Sequence, residues 1–369
     1  MIENVYGVAK RHNNKRRAYL LVNRLQGKHV PTSPMGALDM AQKLGEKLKK
    51  LEGKSMVIAF AETATAIGAA AAEVMGSEVF FINTTREPLT DVHCIEFLEE
   101  HSHAREQSLV AEKLEKEIGK SDNVIFLDDE LSTGKTMSNI IRKLKERYSV
   151  LNGKKLIVAS LLNRVSEENS QKLKSMGIYE VYLWKTEEDN YEEYAEGLTT
   201  TVAVRPNVTG DVKTFEKIKI NKMGLNPRLG FKIGEYVSKC KEINEKIIRD
   251  YGEVIKSGER ILVLGTEECM YPALSLGAAI EKKFEGVKVF SHATTRSPIG
   301  ISDAPEYPIK MGYKIPSFYE ESRMTYIYNV EKYDIVFVVT DAPSPSDKAL
   351  KVLASVFGEA KRLFLVEVS

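Results

Sequence analysis

The sequence has little cysteine, no excess of one charge sign and no long apolar run, and each shortage excludes a class of protein. Its three cysteines show no CxxC spacing, which argues against a disulfide framework. The small apolar stretch at residues 64–72 is far too short to span a bilayer. Residues 1–6 carry no apolar signal region, so secretion is not expected. We therefore expect a soluble cytoplasmic protein in a reducing compartment, without a membrane partner.

The balance of charge disfavours polyanionic partners. Lysine and arginine total 53 against 52 acidic residues, a formal net charge of +1, so a nucleic-acid coat is not expected. A basic cluster in residues 10–17 is better explained as a solvated face or an anion-steering patch. Hydrophobic residues make up 43% and charged residues 28%, which is a globular composition, and 369 residues exceed one ordinary core.

Short apolar runs alternate with helical patterns, which predicts the fold class. From residue 35 to about 185, near-continuous apolar strands are separated by helices, as a parallel sheet covered on both faces requires. Turn and breaker residues then dominate until about residue 230, after which the alternation resumes. The sequence predicts an α/β domain at residues 1–200, a linker at 201–230 and a second α/β domain at 231–369.

The second half repeats features of the first in the same order, which indicates a diverged copy. The clearest pair is TTREP at residues 84–88 and TTRSP at residues 294–298. Three further pairs are residues 23–28 with 226–232, residues 60–64 with 264–268, and residues 124–129 with 336–341.

The segment VIFLDDELSTGKT, residues 124–136, carries the most specific chemistry. It is a buried strand ending in two carboxylates, followed by a small-residue turn that opens a helix. Ligands of open α/β sheets bind beyond the carboxyl ends of the strands. Asp128 and Asp129 accept hydrogen bonds, as a sugar diol requires, while the backbone amides of residues 132–136 suit an anion. The pattern predicts a sugar-phosphate site.

Two other interpretations of this segment are weaker. A nucleotide-triphosphate P-loop needs a glycine five residues before Gly134, and that position is Asp129, whose carboxylate would face the phosphate. The other alternative is that Asp128 and Asp129 only solvate the end of a strand. The length of the combined pattern argues against it.

The segment resembles the phosphoribosyl pyrophosphate (PRPP) loop of type I phosphoribosyltransferases. Together with TTRSP at residues 294–298, the whole chain resembles the two-domain family that pairs such a domain with a "TRSP" domain, often encoded beside bacterial tellurite-resistance genes. The resemblance implies that Asp128 and Asp129 bind the ribose hydroxyls. It also implies that the 5′-phosphate is held by the following turn, which comprises Ser132, Thr133, Gly134, Lys135 and Thr136.

The same resemblance implies further site residues. In type I enzymes the loop after the first core strand holds pyrophosphate, and Glu62, Thr63 and Ala64 stand at that place. Glu62 would act there through Mg²⁺, the implied cofactor, and Arg86 would neutralise the diphosphate. Their alternatives are an ordinary strand–helix connection and a surface ion pair with Glu87.

Two other groups of residues are candidates for the acceptor side. The long polar stretch 88–108 is typical of a catalytic loop that closes over substrate, with a solvated face or a transition-metal site as alternatives. Lys28 and His29 are candidates for base recognition, with a structured turn as the alternative. The candidates in the catalytic loop are Glu99, Glu100, His101 and His103.

The second half keeps paired charges but loses the PRPP loop, because the counterpart of residues 128–136 has one acid fewer and two prolines. A second small-molecule site is expected there. Its candidate residues are Glu267, Glu268, Thr295, Arg296, Ser297, Glu320 and Arg323.

The activity implied is transfer of a phosphoribosyl group from PRPP to a nitrogen of an unidentified base, which releases pyrophosphate and leads to a nucleotide-like metabolite. The second domain would bind or process a related small molecule. The alternative is a regulatory protein that senses PRPP or a nucleotide without catalysis. Dimers are common in the resembling class, so a homodimer is one expected state.

Overall fold

In the computed structural model the chain divides into two compact units, each with its own sheet. The structure describes residues 4–12, 17–97, 107–186, 190–208, 212–218, 220 and 224–369. The six-stranded unit comprises Ala41–Glu187 and Leu225–Ser238. The five-stranded unit comprises Met1–Met40, Glu188–Gly224 and Lys239–Ser369. Both units are named for the strands that the described residues contribute to their main sheets.

Strands and helices alternate along most of the described chain. In the first half they are β1 (Tyr6–Lys10), β2 (Tyr19–Asn23), α1 (Pro34–Leu48), β3 (Ser55–Ala59), α2 (Ala64–Met75), β4 (Phe80–Asn83), β5 (Cys94–Phe97), β6 (Gln107–Val110), α3 (Leu114–Lys120), β7 (Asn123–Leu131), α4 (Lys135–Arg147), β8 (Lys155–Asn163), α5 (Glu167–Ser175), β9 (Ile178–Lys185) and α6 (Tyr191–Glu196). In the second half they are β10 (Glu216–Ile218), β11 (Phe231–Lys232), α7 (Ile233–Tyr251), β12 (Arg260–Gly265), α8 (Tyr271–Lys283), β13 (Lys288–Ala293), β14 (Gly312–Pro316), β15 (Met324–Tyr328), β16 (Ile335–Thr340), α9 (Asp347–Val356) and β17 (Arg362–Glu367).

The sheet of the six-stranded unit has the order β11-β4-β3-β7-β8-β9. Neighbouring strands are parallel, except that β11 runs antiparallel to β4. Met56, Phe126 and Val158 are fully buried in the core on this sheet. Parallel strands that are covered on both faces read as continuous apolar runs, which is why these strands could be predicted.

The sheet of the five-stranded unit has the order β10-β17-β16-β12-β13, with all neighbours parallel. Leu262, Val338 and Leu365 belong to its fully buried core. The predicted fold class, two α/β domains built on parallel sheets, is therefore confirmed.

The two sheets repeat the same local plan, as the sequence echoes predict. The order β4-β3-β7-β8 in one sheet corresponds to β13-β12-β16-β17 in the other. Hydrogen bonds just beyond the strands also correspond. The bond from Phe60 N to Leu127 O (2.9 Å) in the first sheet corresponds to the bond from Thr266 N to Val339 O (3.1 Å) in the second. Likewise, the bond from Thr84 N to Ala59 O (2.9 Å) corresponds to the bond from Thr294 N to Gly265 O (3.0 Å). By these bonds residue 60 corresponds to residue 266. The sequence alignment of residues 60–64 with 264–268 placed residue 60 opposite residue 264, so the structural correspondence is shifted by two residues.

The compact units differ from the predicted domain boundaries of 1–200 and 231–369, which stay a prediction. Residues 1–40 belong to the five-stranded unit, where Ala9 and Val22 pack in a cluster with Tyr307. The predicted linker also contains regular structure, since β10 pairs with β17. Segments that are distant in the chain thus pack on apolar faces, as residues 1–40 do, or pair with the edge of a sheet, as β10 does. Among the described residues, none of the helices has the length and apolarity that a membrane crossing needs.

Gly68 allows α2 to approach the sheet closely, which positions the loop before that helix. A Cβ at Gly68 would lie 2.5 Å from the Ala59 Cβ and 3.2 Å from the Phe81 ring. Gly68→Ala should therefore lower the free energy of unfolding by about 1–3 kcal/mol through overpacking. Gly119→Ala is the matched control, because its nearest neighbour would lie 3.7 Å away and alanine favours helix. Denaturant midpoints that are equal for the two variants would contradict the close approach.

Candidate active site

The carboxyl ends of β4, β3 and β7 meet at one edge of the six-stranded sheet. These strands are adjacent and parallel, so the loops that follow them lie side by side. Arg86 and Glu62 lie in the loops after β4 and β3, and the segment from Asp128 to Thr136 comprises the end of β7, the turn after it and the start of α4. The topology alone therefore brings the predicted PRPP and pyrophosphate residues to the same edge.

The acidic pair lies within β7, which was predicted to end in these two acids and continues two residues further, to Leu131. Asp128 is aligned with Ser160 of β8, and the Asp129 amide donates to the Asp128 Oδ1 at 2.9 Å. Burial raises the pKa of the Asp128 carboxyl well above its usual value, and the neighbouring charge of Asp129 acts in the same direction. Two carboxyl groups are thus held together where a sheet normally binds ligands.

Two buried polar atoms near this edge lack hydrogen-bond partners among the described residues. They are the Oγ of Ser160 and the Oδ1 of Asn83, in side chains that are 0% and 4% exposed. Asn83 is the last residue of β4, and Ser160 is the register partner of Asp128. Buried polar atoms nearly always find a partner, so both positions favour an additional polar group at this edge.

The turn after β7 has the geometry that an anion requires. Gly134 has a φ of +73° and precedes α4, and no side chain caps that helix. The positive φ favours glycine here, and a Cβ would also displace the end of the Leu173 side chain, whose Cδ1 would lie 2.9 Å away. Thr133, Lys135 and Thr136 are exposed, while Ser132 is partly buried. The first amide of α4, from Lys135, donates to the Thr133 hydroxyl at 3.4 Å, a long contact that an external anion at the start of this helix can replace.

The loop after β3 is fastened to the loop after β4. The amide of Ala61 donates to the Thr84 hydroxyl at 2.8 Å. The Thr65 hydroxyl donates to the Glu62 carbonyl at 3.2 Å, at the start of α2, and the Ala61–Glu62 peptide bond is cis. Glu62 is buried, at 7% exposed, and Ala64 is fully buried, so this loop is part of the packed edge.

Arg86 lies on a loop that is held at several points. Thr85 exchanges two backbone hydrogen bonds with Ser108, both 2.8 Å long. The Thr85 hydroxyl also accepts the amide of Glu87 at 3.0 Å. Arg86 is exposed, at the edge of the sheet beside the loop of Glu62.

Arg228 is a site residue that the sequence argument did not identify. It is buried, at 5% exposed, and its Nε donates to the Thr85 hydroxyl at 3.1 Å. The Asn226 side chain accepts the Arg228 amide at 3.0 Å, which orders the turn that carries the arginine. A second cation therefore supports the loop of Arg86. The available signal was the echo of residues 23–28 in residues 226–232, which marked this segment as more than a linker.

Lys28 and His29 belong to the five-stranded unit, whereas the acidic pair and the glycine turn belong to the six-stranded unit. Both are buried in the five-stranded unit. The Lys28 Nζ donates to the backbone carbonyls of Glu267 (3.2 Å) and Thr294 (3.0 Å), so the ammonium group is used within that unit. The reason is that the segment before α1 packs with the second half of the chain, which its position in the sequence does not reveal. A role in base recognition stays an untested prediction.

The structure describes residues 88–97 and 107–108 of the predicted catalytic loop, where β5 pairs antiparallel with β6. Glu99, Glu100, His101 and His103 lie outside the described residues. Across the part of the chain that is described, no group of three or more His, Cys, Asp or Glu side chains is placed to hold a metal ion.

Two predicted residues of the second site, Arg296 and Arg323, bind the buried carboxylate of a third, Glu267. Glu267 is 0% exposed and its Oε2 accepts from the Arg296 Nε at 3.0 Å and from the Arg323 Nη2 at 2.7 Å. Glu268 is buried as well, at 5% exposed. Glu320 contacts the Arg323 Nη1 at 3.4 Å. The remaining predicted residues, Thr295 and Ser297, are joined by a 3.2 Å hydrogen bond from the Ser297 amide to the Thr295 hydroxyl.

Solved structures similar to this chain include orotate and adenine phosphoribosyltransferases. Orotate phosphoribosyltransferase of Aeropyrum pernix is 17% identical and covers 53% of this chain and 94% of its own, with a TM-score of 0.31. Adenine phosphoribosyltransferase of Trypanosoma brucei is 14% identical and covers 50% and 77%, with a TM-score of 0.35. The Giardia lamblia enzyme is 16% identical and covers 50% and 94%, also with a TM-score of 0.35. Comparison with curated protein sequences found no match.

The family comparison is more specific. Residues 5–179 match the family described as phosphoribosyl transferase, which with this fold defines the chain as an enzyme of the phosphoribosyltransferase class. Residues 226–357 match the TRSP domain that lies C-terminal to that transferase domain. The chain belongs to the two-domain family that joins a phosphoribosyltransferase domain to a TRSP domain, and the resemblance seen in the sequence is confirmed.

The ionised carboxylate of Asp128 should lower the free energy of unfolding at neutral pH. Because the pKa of Asp128 is raised in the fold, its carboxyl holds a proton more tightly there than in the unfolded chain. Stability is therefore lost as the pH rises above the ordinary value of 3.8. Asp128→Asn, which cannot ionise, should raise the thermal midpoint at pH 7, and its advantage should shrink towards about pH 4.

Asp303→Asn is the control, since Asp303 is an exposed carboxylate of the five-stranded unit. Thermal unfolding of both variants at the two pH values checks the prediction. A midpoint at pH 7 that falls in Asp128→Asn would show that the charged carboxylate stabilises the fold.

Proposed function

We propose that the six-stranded unit binds PRPP with Mg²⁺ and transfers its phosphoribosyl group to a nitrogen of a base, releasing pyrophosphate. The observation that carries this proposal is the juxtaposition of Asp128 and Asp129 with the glycine turn at Gly134 on one strand–helix junction. A diol acceptor and an anion cradle on the same junction match the two ends of a ribose 5-phosphate.

The acidic pair is assigned to the ribose. Asp128 and Asp129 would accept hydrogen bonds from the 2′- and 3′-hydroxyls. Their negative charge would also stabilise the positive charge that develops on the ring as the bond at C1 breaks. The amides and hydroxyls of residues 132–136 would hold the 5′-phosphate, with the exposed Lys135 near the same group.

The diphosphate is assigned to the neighbouring loops. The exposed Arg86 would take up charge on the leaving group, and the buried Arg228 supports the same loop through Thr85. The residues present fit Mg²⁺, because a carboxylate combined with phosphate oxygens is a donor set that this ion prefers, and Glu62 supplies the carboxylate. When bound, the ion would neutralise charge on the departing diphosphate.

The transfer itself balances without any redox partner. The bond from C1 to the diphosphate oxygen breaks, and its electron pair leaves with pyrophosphate. A lone pair on the base nitrogen forms the new bond to C1 from the opposite face, so that the configuration at C1 is inverted. Orientation of the two reactants at the sheet edge would supply much of the rate enhancement.

The five-stranded unit is proposed to bind or process a related small molecule. Support comes from its repetition of the same hydrogen-bonded edge, with Arg296 at the position that corresponds to Arg86. A homodimer and a cytoplasmic location stay predictions, as does the identity of the acceptor base.

Asp129→Asn tests the ribose assignment. Loss of the ionised acceptor should weaken PRPP binding by roughly 10- to 100-fold, because a hydrogen bond to a charged group contributes about 1.5–3 kcal/mol. Titration calorimetry with Mg²⁺–PRPP measures the affinity, and circular dichroism verifies the fold. Asp303→Asn should bind as the unmodified chain does. Undiminished affinity in Asp129→Asn would refute the assignment of the site.

A further inference from the structure

The edge of the five-stranded sheet keeps the framework of the transferase site but has lost its means of holding ribose 5-phosphate. The strand and loop bonds pair Asp128 with Thr340 and Asp129 with Asp341. Thr340 is fully buried and accepts a hydrogen bond from the Thr266 hydroxyl at 2.8 Å. The carboxylate of Asp341 already accepts the hydroxyl of Tyr319. A diol clamp like that of the first site is therefore not available here.

The phosphate cradle after β16 has also been closed. Gly134 precedes α4 without a side-chain cap, whereas α9 is preceded by Ser346, whose hydroxyl accepts the amide of Ala349 at 3.2 Å. Pro343 and Pro345 occupy the same turn and contribute no amide hydrogen. In the first copy the corresponding helix terminus would bind the 5′-phosphate. In this second copy the N-terminus of α9 is capped by the protein's own Ser346 side chain.

Two arginines, by contrast, are present at this edge as they are at the first. Arg296, the counterpart of Arg86, and Arg323, from the loop before β15, both donate to the Oε2 of Glu267, at 3.0 Å and 2.7 Å. The other oxygen, Oε1, accepts the Ser317 hydroxyl at 2.6 Å. Both guanidinium groups are therefore fixed by one carboxylate, and a fixed guanidinium loses less entropy when it binds an anion.

The cluster presents its cations outward. The side chain of Glu267 is 0% exposed, whereas those of Arg296 and Arg323 are 16% and 19% exposed. Arg323 also contacts Glu320, but that carboxylate is 54% exposed, and an ion pair so open to water is weak. On the inner side the Lys28 ammonium donates to the carbonyls of Glu267 and Thr294. The two arginine side chains are therefore partly accessible to a ligand, whereas the Glu267 side chain is not, and the Arg323 Nη2 is held further by the Ser317 hydroxyl at 2.9 Å.

We infer that the five-stranded unit holds a second site, which binds the phosphate or diphosphate group of a small molecule through Arg296 and Arg323. Guanidinium groups suit phosphate because several of their N–H donors can bind its oxygens at once. The loss of the diol clamp means that the site recognises the anionic group and not a ribose ring. This inference deepens the proposed function by naming the ligand class for the five-stranded unit.

Titration calorimetry of the full chain with inorganic pyrophosphate, and separately with ribose 5-phosphate, tests the inference. Arg296→Gln and Arg323→Gln should each weaken pyrophosphate binding at this site about tenfold or more, because each removes charge-assisted hydrogen bonds. Arg362→Gln is the matched control, since that arginine of the same unit is 54% exposed and lies 3.7 Å from Glu216. Ribose 5-phosphate should bind here no more tightly than inorganic phosphate does.

Asp129→Asn separates this inference from the proposed transferase. That variant should lose PRPP binding at the six-stranded unit and keep the pyrophosphate site that depends on Arg296, while Arg296→Gln should do the reverse. Pyrophosphate should also raise the thermal midpoint of a chain that carries both Asp129→Asn and Arg86→Gln, in which the diphosphate position proposed for the six-stranded unit is disabled as well. This readout does not depend on the Arg296 and Arg323 variants folding. Absence of that stabilisation, or pyrophosphate binding unaffected by both arginine substitutions, would overturn the inference. The inference would also be overturned if Arg296→Gln and Arg323→Gln weakened pyrophosphate binding only as much as Arg362→Gln does.

Discussion

The register of β7 between β3 and β8 is the constraint on which the candidate active site depends. It aligns Asp128 with Ser160 and brings the acids level with the loops of the neighbouring strands. A shift of one residue would turn each side chain to the opposite face of the sheet. The apolar part of β7 pairs in fixed register with β3 and β8. For this reason one edge of the sheet holds the acidic pair, the glycine turn at Gly134 and the loop of Glu62. Burial in the sheet thus determines where the polar chemistry lies.

The two sheets share their strand order and the hydrogen bonds between the loops at their carboxyl edge, but they differ in the side chains at that edge. In both sheets the loop after the central strand donates an amide to the first threonine after the next strand, from Ala61 to Thr84 at 2.8 Å and from Glu267 to Thr294 at 2.9 Å. The six-stranded unit keeps a glycine turn and two acids. The five-stranded unit replaces them with internal hydrogen bonds and gains a carboxylate that fixes two arginines. Backbone geometry has been retained while the side chains at the edge have changed.

Local sequence predicts the parts of this structure that depend on local physics. Buried parallel strands and the helices between them follow from apolar runs and turn residues, and the PRPP-type segment lies on β7 and α4 as expected. The positions of Lys28 and Arg228 could not be predicted, because each depends on which unit a distant segment joins. The hairpin strands β1 and β2 were missed for a related reason, since their apolar faces pack on residues such as Tyr307.

The central claim is that the chain transfers a phosphoribosyl group, and pyrophosphate release measures this most directly. PRPP consumption would be followed with and without Mg²⁺ against a panel of pyrimidine, purine and pyridine bases. The account predicts stoichiometric pyrophosphate formation that requires Mg²⁺ and one acceptor from the panel, and that is lost in Asp129→Asn. PRPP binding without turnover on any base would contradict transfer to a base of these classes and favour a role in sensing PRPP.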